Sequence, residues 1–176
     1  GRLSSASKTV ELLICENWLR ALEIADDIEK ENAVRREMND RVYTEAEAMI
    51  RQLGHDAWEK GIVLASGEWH QGVIGIAASR IVEKYYLPTV LISLEGELGK
   101  GSARSIKEFD ICGAMSECEN ILDTYGGHKY AAGLSIRADK IEDFKTLFGE
   151  IIKRDLPDGI PAPSITIDSE IDFSCL

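Results

Sequence analysis

Three stretches of this sequence carry residue types suited to holding a phosphate. The first is Gly99-Lys-Gly-Ser-Ala-Arg-Ser105. Glycines such as Gly101 let the backbone come close to a ligand, adopt positive φ and aim amides at an anion. Ser102 and Ser105 add hydroxyl donors, and Arg104 adds a planar fork matched to phosphate. Strand alternation would set Ser102 and Arg104 on one face. The plainer reading is a hairpin turn with a surface arginine, and residue types alone leave both open.

The second stretch is Tyr125-Gly-Gly-His-Lys-Tyr-Ala-Ala-Gly-Leu134. Gly126 and Gly127 ahead of His128 place an imidazole at a sharp helix-to-strand corner. Ala131, Ala132 and Gly133 leave room for close packing. Such an imidazole can hydrogen-bond a phosphate or a base without ionising. Against that stands an ordinary helix stop followed by a corner residue. The third stretch, Trp69-His-Gln-Gly-Val-Ile-Gly-Ile-Ala-Ala-Ser-Arg80, turns a strand into a helix. Helix amino termini attract anions, and Trp69 is able to stack on a base. Gly72 and Gly75 read as helix–sheet packing residues, with Trp69 and His70 left open.

A hydrolytic engine is not visible beside these groups. A two-metal site needs several carboxylates converging on ions about 4 Å apart, and no clustered Asp/His set offers that. Asp26 and Asp27 read as a solvated helix face, and the acidic residues of 139–172 as surface charge. No nucleophile–base pair is evident.

The elements that must position these residues follow from hydrophobic period. Residues 8–25 set Val10, Leu13, Ile14, Ala21, Leu22 and Ala25 on one helical face. A second helical pattern runs through Ile28, Val34, Met38, Val42, Ala46, Met49 and Leu53 to a stop at Gly54. Its length suits a connector between two bodies. Strands are expected at 61–66, 89–94, 102–105 and 130–137. Helices are expected at 72–85, over 111–124 capped by Asp110, and after Asp139 as a cap. The turn 95–102 is Gly-rich. Alternation of this kind predicts an α/β fold, a mixed sheet flanked by helices. Leu156-Pro-Asp-Gly-Ile-Pro-Ala-Pro163 reads as a linker, and Ile165, Ile167, Ile171 and Phe173 begin a β-like pattern.

Composition bounds the rest. A chain of 176 residues with 44% hydrophobic and 29% charged residues suits one folded core, not a disordered polymer. No run approaches the roughly 20 apolar residues of a membrane helix. The first residue is Gly1, with no Met or signal-like region, so a piece of a longer protein is expected. The four scattered cysteines read as reduced thiols of a cytosolic protein, and their spacing does not suggest zinc. A net charge of −11 argues at first sight against a polyanion as partner and points away from a broad basic face. Residues 61–105 are nonetheless balanced, 4 basic against 4 acidic, which leaves room for a local anion pocket.

Together the three stretches resemble the DHH-associated (DHHA1) domain of the RecJ family of single-strand-specific exonucleases. Gly1-Arg-Leu3 resembles the tail of the motif Asn-Ala-Ala-Gly-Arg-Leu that closes that family's catalytic domain. The long helix is similar to its inter-domain connector, and 165–176 to the first strand of its OB-type domain. The resemblance implies three parts: 1–55, the end of a DHH domain and the connector; 56–154, a DHHA1 substrate-binding domain; 155–176, a linker and the start of an OB-type domain. It implies the substrate-handling part of a 5′-to-3′ exonuclease that hydrolyses single-stranded DNA in the cytoplasm, without membrane attachment. Mn²⁺ or Mg²⁺ would be held by Asp and His residues of an amino-terminal DHH domain joined in cis. This stretch would then hold no metal and no catalytic residue, and would be inactive alone. The implied phosphate-binding residues are Arg2, Gly101, Ser102, Arg104, Ser105, Gly127 and His128. Rival readings are a small-oligonucleotide or cyclic-dinucleotide phosphodiesterase, which shares the Gly-Gly-His corner, a tRNA-recognising module, and a structural domain without a ligand. The long helix and trailing β-like segment favour the exonuclease.

Overall fold

A computed structural model describes residues 6–53, 60–165 and 167–172. The chain opens with helix α1 (Ser7–Ile14), followed by α2 (Trp18–Leu53). A single helical face over 8–25 was expected; the chain instead breaks at 15–17. Asn17 explains the break. Its Oδ1 accepts from the Arg20 N–H at 3.0 Å, so it starts a new helix where periodicity showed continuity. Ion pairs Arg20–Glu11 and Lys8–Glu31 fold α1 back along α2. With 36 residues, α2 is longer than the expected pattern and spans about 54 Å.

Five strands follow: β1 (Ile62–Ser66), β2 (Thr89–Glu95), β3 (Leu98–Arg104), β4 (Leu122–His128) and β5 (Ala131–Arg137). Helix α3 (Gln71–Tyr85) joins β1 to β2, α4 (Ile111–Glu117) precedes β4, and α5 (Ile141–Asp155) follows β5. The sheet order is β1-β2-β3-β5-β4, with β1 and β2 parallel and the remaining pairs antiparallel. This is the mixed sheet with flanking helices that the alternation of patterns predicts.

Two apolar layers hold it. On one face Val90, Ile92, Ala103, Leu134 and Ile136 pack with Phe109, Met115, Phe144 and Phe148. Phe148 stacks on Phe144 and meets Phe109 edge-on, with ring centroids 5.6 and 5.9 Å apart. On the other face Ile62, Leu64 and Leu91 pack under Val73, Ile74, Ala77 and Ile81 of α3. Val42, Ala46 and Ile50 of α2 close that layer from outside. A polar seam reinforces the contact: Trp69 Nε1 donates to Glu45 at 2.8 Å, Arg80 pairs with Asp40 at 2.6 Å, and Lys84 with Glu47. Lys84 and then Tyr43, by donating to Glu47, hold its carboxyl below the usual range.

Other expectations change further along the chain. The helix over 111–124 stops at Glu117, and residues from Leu122 onward form β4. Thr124 and Tyr125 are strand formers, and β5 supplies a neighbour to pair with. Asp110 does cap α4, accepting from the Gly113 N–H at 3.0 Å. Asp139 does not cap α5: it sits in a short 3₁₀ turn and pairs with Arg137 at 3.2 Å. After α5, residues 161–165 and 167–172 contain no helix or strand, and Ile165, Ile167 and Ile171 are exposed. The β-like period there has no partner edge among the described residues, and Phe173 lies outside them. Cys15, Cys112 and Cys118 are free thiols. No helix among the described residues is long and apolar enough to cross a membrane.

Candidate nucleic-acid interface

Strand β3 begins at Leu98, so Gly99, Lys100 and Gly101 are strand residues and not an anion-cradling turn. Only Gly96 in the turn before it takes positive φ, at 61°. A Cβ at Gly99 would stand 2.7 Å from Ile92 Cγ2, and one at Gly101 2.6 Å from Leu134 Cδ1. Both glycines therefore admit neighbouring core side chains. Gly101 serves packing beneath the site.

Alternation sends Lys100, Ser102 and Arg104 to the opposite face, the one α3 covers in part. Arg104 Nη1 donates to Ser102 Oγ at 3.0 Å and to the Ala103 carbonyl at 2.7 Å. A Cβ at Gly75 of α3 would meet Ser102 Oγ at 2.8 Å and Arg104 Nη2 at 2.9 Å. The missing side chain thus opens the space in which guanidinium and hydroxyl meet.

The ladder places His128 on the same face. Arg104 pairs with Ala131, and Ala131 with His128, so one cross-strand row carries guanidinium, methyl and imidazole. Two ladder spacings separate the outer backbones, roughly 9.5 Å. His128 is exposed at the end of β4, in a tight β-hairpin where a helix-to-strand corner was expected. Gly127 fixes that hairpin. Its φ is 157°, and a Cβ there would come within 2.3 Å of the Ala131 carbonyl oxygen.

Other expected residues go elsewhere. Ser105 donates its hydroxyl to the Phe109 carbonyl at 2.9 Å and its N–H to Tyr130, so the structure does not bring it to Ser102 and Arg104. Arg2 lies outside the described residues. Trp69 is buried and tied to Glu45, which removes it as a stacking platform. His70 caps α3, its Nδ1 accepting from the Gly72 N–H at 3.0 Å.

Sequence reasoning passed over one row. Lys100 pairs with Ser135, and Ser135 with Thr124, all on the face of Arg104. Lys100 Nζ donates to Ser135 Oγ at 2.8 Å, and the Thr124 and Ser135 hydroxyls lie 2.9 Å apart. Starting β3 at Leu98 and recognising β4 would have exposed this row. Among the described residues no group of three or more His, Cys, Asp or Glu is placed to hold a metal ion.

The profile of the DHHA1 domain family matches residues 59–154. The chain belongs to the DHHA1 domain family. Its DHHA1 unit therefore comprises the whole sheet, α3, α4 and nearly all of α5. The single-stranded-DNA-specific exonuclease RecJ of Bacillus subtilis is 36% identical over 179 aligned residues, covering 99% of this chain and 22% of the relative. RecJ of Escherichia coli is 35% identical, covering 86% and 28%. The crystal structure of Thermus thermophilus RecJ with Mg²⁺ superposes with a TM-score of 0.78 at 31% identity, over 87% of this chain and 23% of that one. The same protein with Mn²⁺ gives 0.74 at 34% identity. The chain is thus similar to one part of these RecJ exonucleases and spans only about a quarter of their length.

Proposed function

We propose that this chain grips the substrate of a RecJ-like exonuclease that hydrolyses single-stranded DNA from its 5′ end. The observation that carries the reading is the row of Arg104 and His128 across Ala131, with Ser102 hydrogen-bonded to the guanidinium, on a sheet face that α3 covers only in part. Arg104 supplies N–H donors, Ser102 a hydroxyl and His128 a ring nitrogen. All three suit a phosphate oxygen, and donors fixed before the reaction stabilise charge that grows in the transition state. Gly101 and Gly127 act beneath them by letting the sheet close. Arg2 completes the proposed set, while Ser105, its hydroxyl donated to the Phe109 carbonyl, braces the end of β3 instead of meeting the phosphate.

Mg²⁺ or Mn²⁺, the ions in the Thermus structures, would be held by an amino-terminal DHH domain in cis. There it would polarise the phosphoryl oxygen and activate water. This chain's task is to orient the phosphate. In this reading 1–55 ends the DHH domain and forms the connector, 56–154 is the substrate-binding unit, and 155–176 leads into an OB-type domain. The exposed apolar residues Leu13, Ile14, Trp18 and Leu19 at the α1–α2 bend suit a contact with the DHH domain. The setting is cytoplasmic. Titrating the isolated chain with 5′-phosphorylated oligothymidylate tests the proposal: weak, salt-sensitive binding without hydrolysis is expected. Robust cleavage by the purified chain, or no binding at low salt, would overturn it.

A further inference from the structure

Most cations of this acidic chain are already paired. Arg20, Lys30, Arg80, Arg137 and Arg154 each lie within 4.0 Å of a carboxylate. Lys100 differs. It is exposed, makes no ion pair among the described residues, and is held by a hydroxyl, Ser135 Oγ, which contacts a second hydroxyl, Thr124 Oγ1. A neutral brace orients an ammonium without cancelling its charge.

We propose that Lys100, Ser135 and Thr124 form a second grip on the same nucleic-acid strand, taking a phosphate beyond the one at Arg104. The inference rests on the phosphate-binding reading of Arg104 and His128. Lys100 and Arg104 lie four residues apart on one face of β3, about 13 Å at strand rise. One phosphate does not bridge that gap. A linear polyanion does, with its backbone running along β3.

The row between the two grips supports this. It reads Ser102, Gly133, Gly126 across β3, β5 and β4. Neither glycine has positive φ. A Cβ at Gly133 would meet only the Gly101 carbonyl oxygen at 3.9 Å, and one at Gly126 nothing within 4 Å. Backbone and packing therefore leave both positions open to larger residues, which strands favour. Glycine within a strand often marks close approach by another molecule. Between two cationic rows, this bare floor makes room for sugars or bases.

The test uses the full 176-residue chain and a fluorescent 5′-phosphorylated oligothymidylate, with binding followed by anisotropy across a salt series. Lys100→Ala is expected to weaken binding about 3- to 10-fold and to flatten the slope of log K against log salt by about 0.7, one phosphate contact on a single strand. Gly133→Val is expected to weaken binding about tenfold while the melting temperature stays level or rises. A purely structural glycine would not separate those two readouts. If Arg104→Ala weakens binding but Lys100→Ala changes neither affinity nor slope, the second grip is wrong and the first stands. If Arg104→Ala also has no effect, the phosphate-binding reading itself fails.

Discussion

Gly75 and Arg104 are complementary: the guanidinium of β3 lies where a side chain on α3 would otherwise stand, Nη2 being 2.9 Å from the Cβ that Gly75 lacks. Helix and sheet pack closely here, and the glycine leaves a hollow between them that Ser102 and Arg104 share.

A first prediction follows from that fit. Gly75→Ala adds a good helix former, worth up to about 1 kcal/mol in a helix interior, but pushes on the Ser102 hydroxyl and the Arg104 guanidinium, both of which can shift by side-chain rotation. Thermal melting should therefore change little, while oligothymidylate binding falls several-fold. Equal loss of fold and binding would contradict the assignment, as would unchanged binding.

Gly127→Ala should behave in the opposite way. Its φ of 157° and the Ala131 carbonyl oxygen, 2.3 Å from an added Cβ, leave only backbone to move. Strain of this kind costs about 2 kcal/mol or more, a fall of roughly 4–8 °C in melting temperature for a chain of this size. Calorimetry on the variant checks it. An unchanged melting temperature would show that the hairpin opens freely.

Much of this was legible in the sequence. The mixed sheet, α3, α5 and the pairing of Ser102 with Arg104 follow from alternation and helical period. What was hidden depended on partners. Thr124 and Tyr125 are the only local hints that 122–128 is a strand, because its ladder lies on Ala131–Arg137 and its buried pattern reduces to Leu122. Missing β4 turned the Gly126-Gly127 hairpin into a supposed helix stop and concealed Thr124. Gly99 and Gly101 read as turn formers because the sequence does not show Ile92 and Leu134 filling their places. Trp69 could not be assigned until its indole met Glu45 on the distant α2.

The seam between α2 and α3 makes stability depend on pH. Lys84 and Tyr43 donate to Glu47 and lower its pKa in the folded state. A lowered carboxyl stabilises the fold fully above its unfolded value near 4.3, and the contribution fades as pH falls through that value towards the folded one. Glu47→Gln should therefore be less stable than wild type at pH 7, with the difference shrinking below about pH 4. Denaturant midpoints at a series of pH values measure it. A gap independent of pH would mean that Glu47 acts by packing alone.

The most direct test is single-turnover cleavage of a 5′-phosphorylated single strand by an enzyme in which this chain is joined to its DHH domain, with Arg104→Ala and His128→Ala as variants. Each lost charge-assisted or polar contact should slow cleavage by roughly 10- to 100-fold, on the order of 1.5–3 kcal/mol. Metal affinity, measured by calorimetry, should match wild type. Wild-type cleavage rates in both variants would contradict the account.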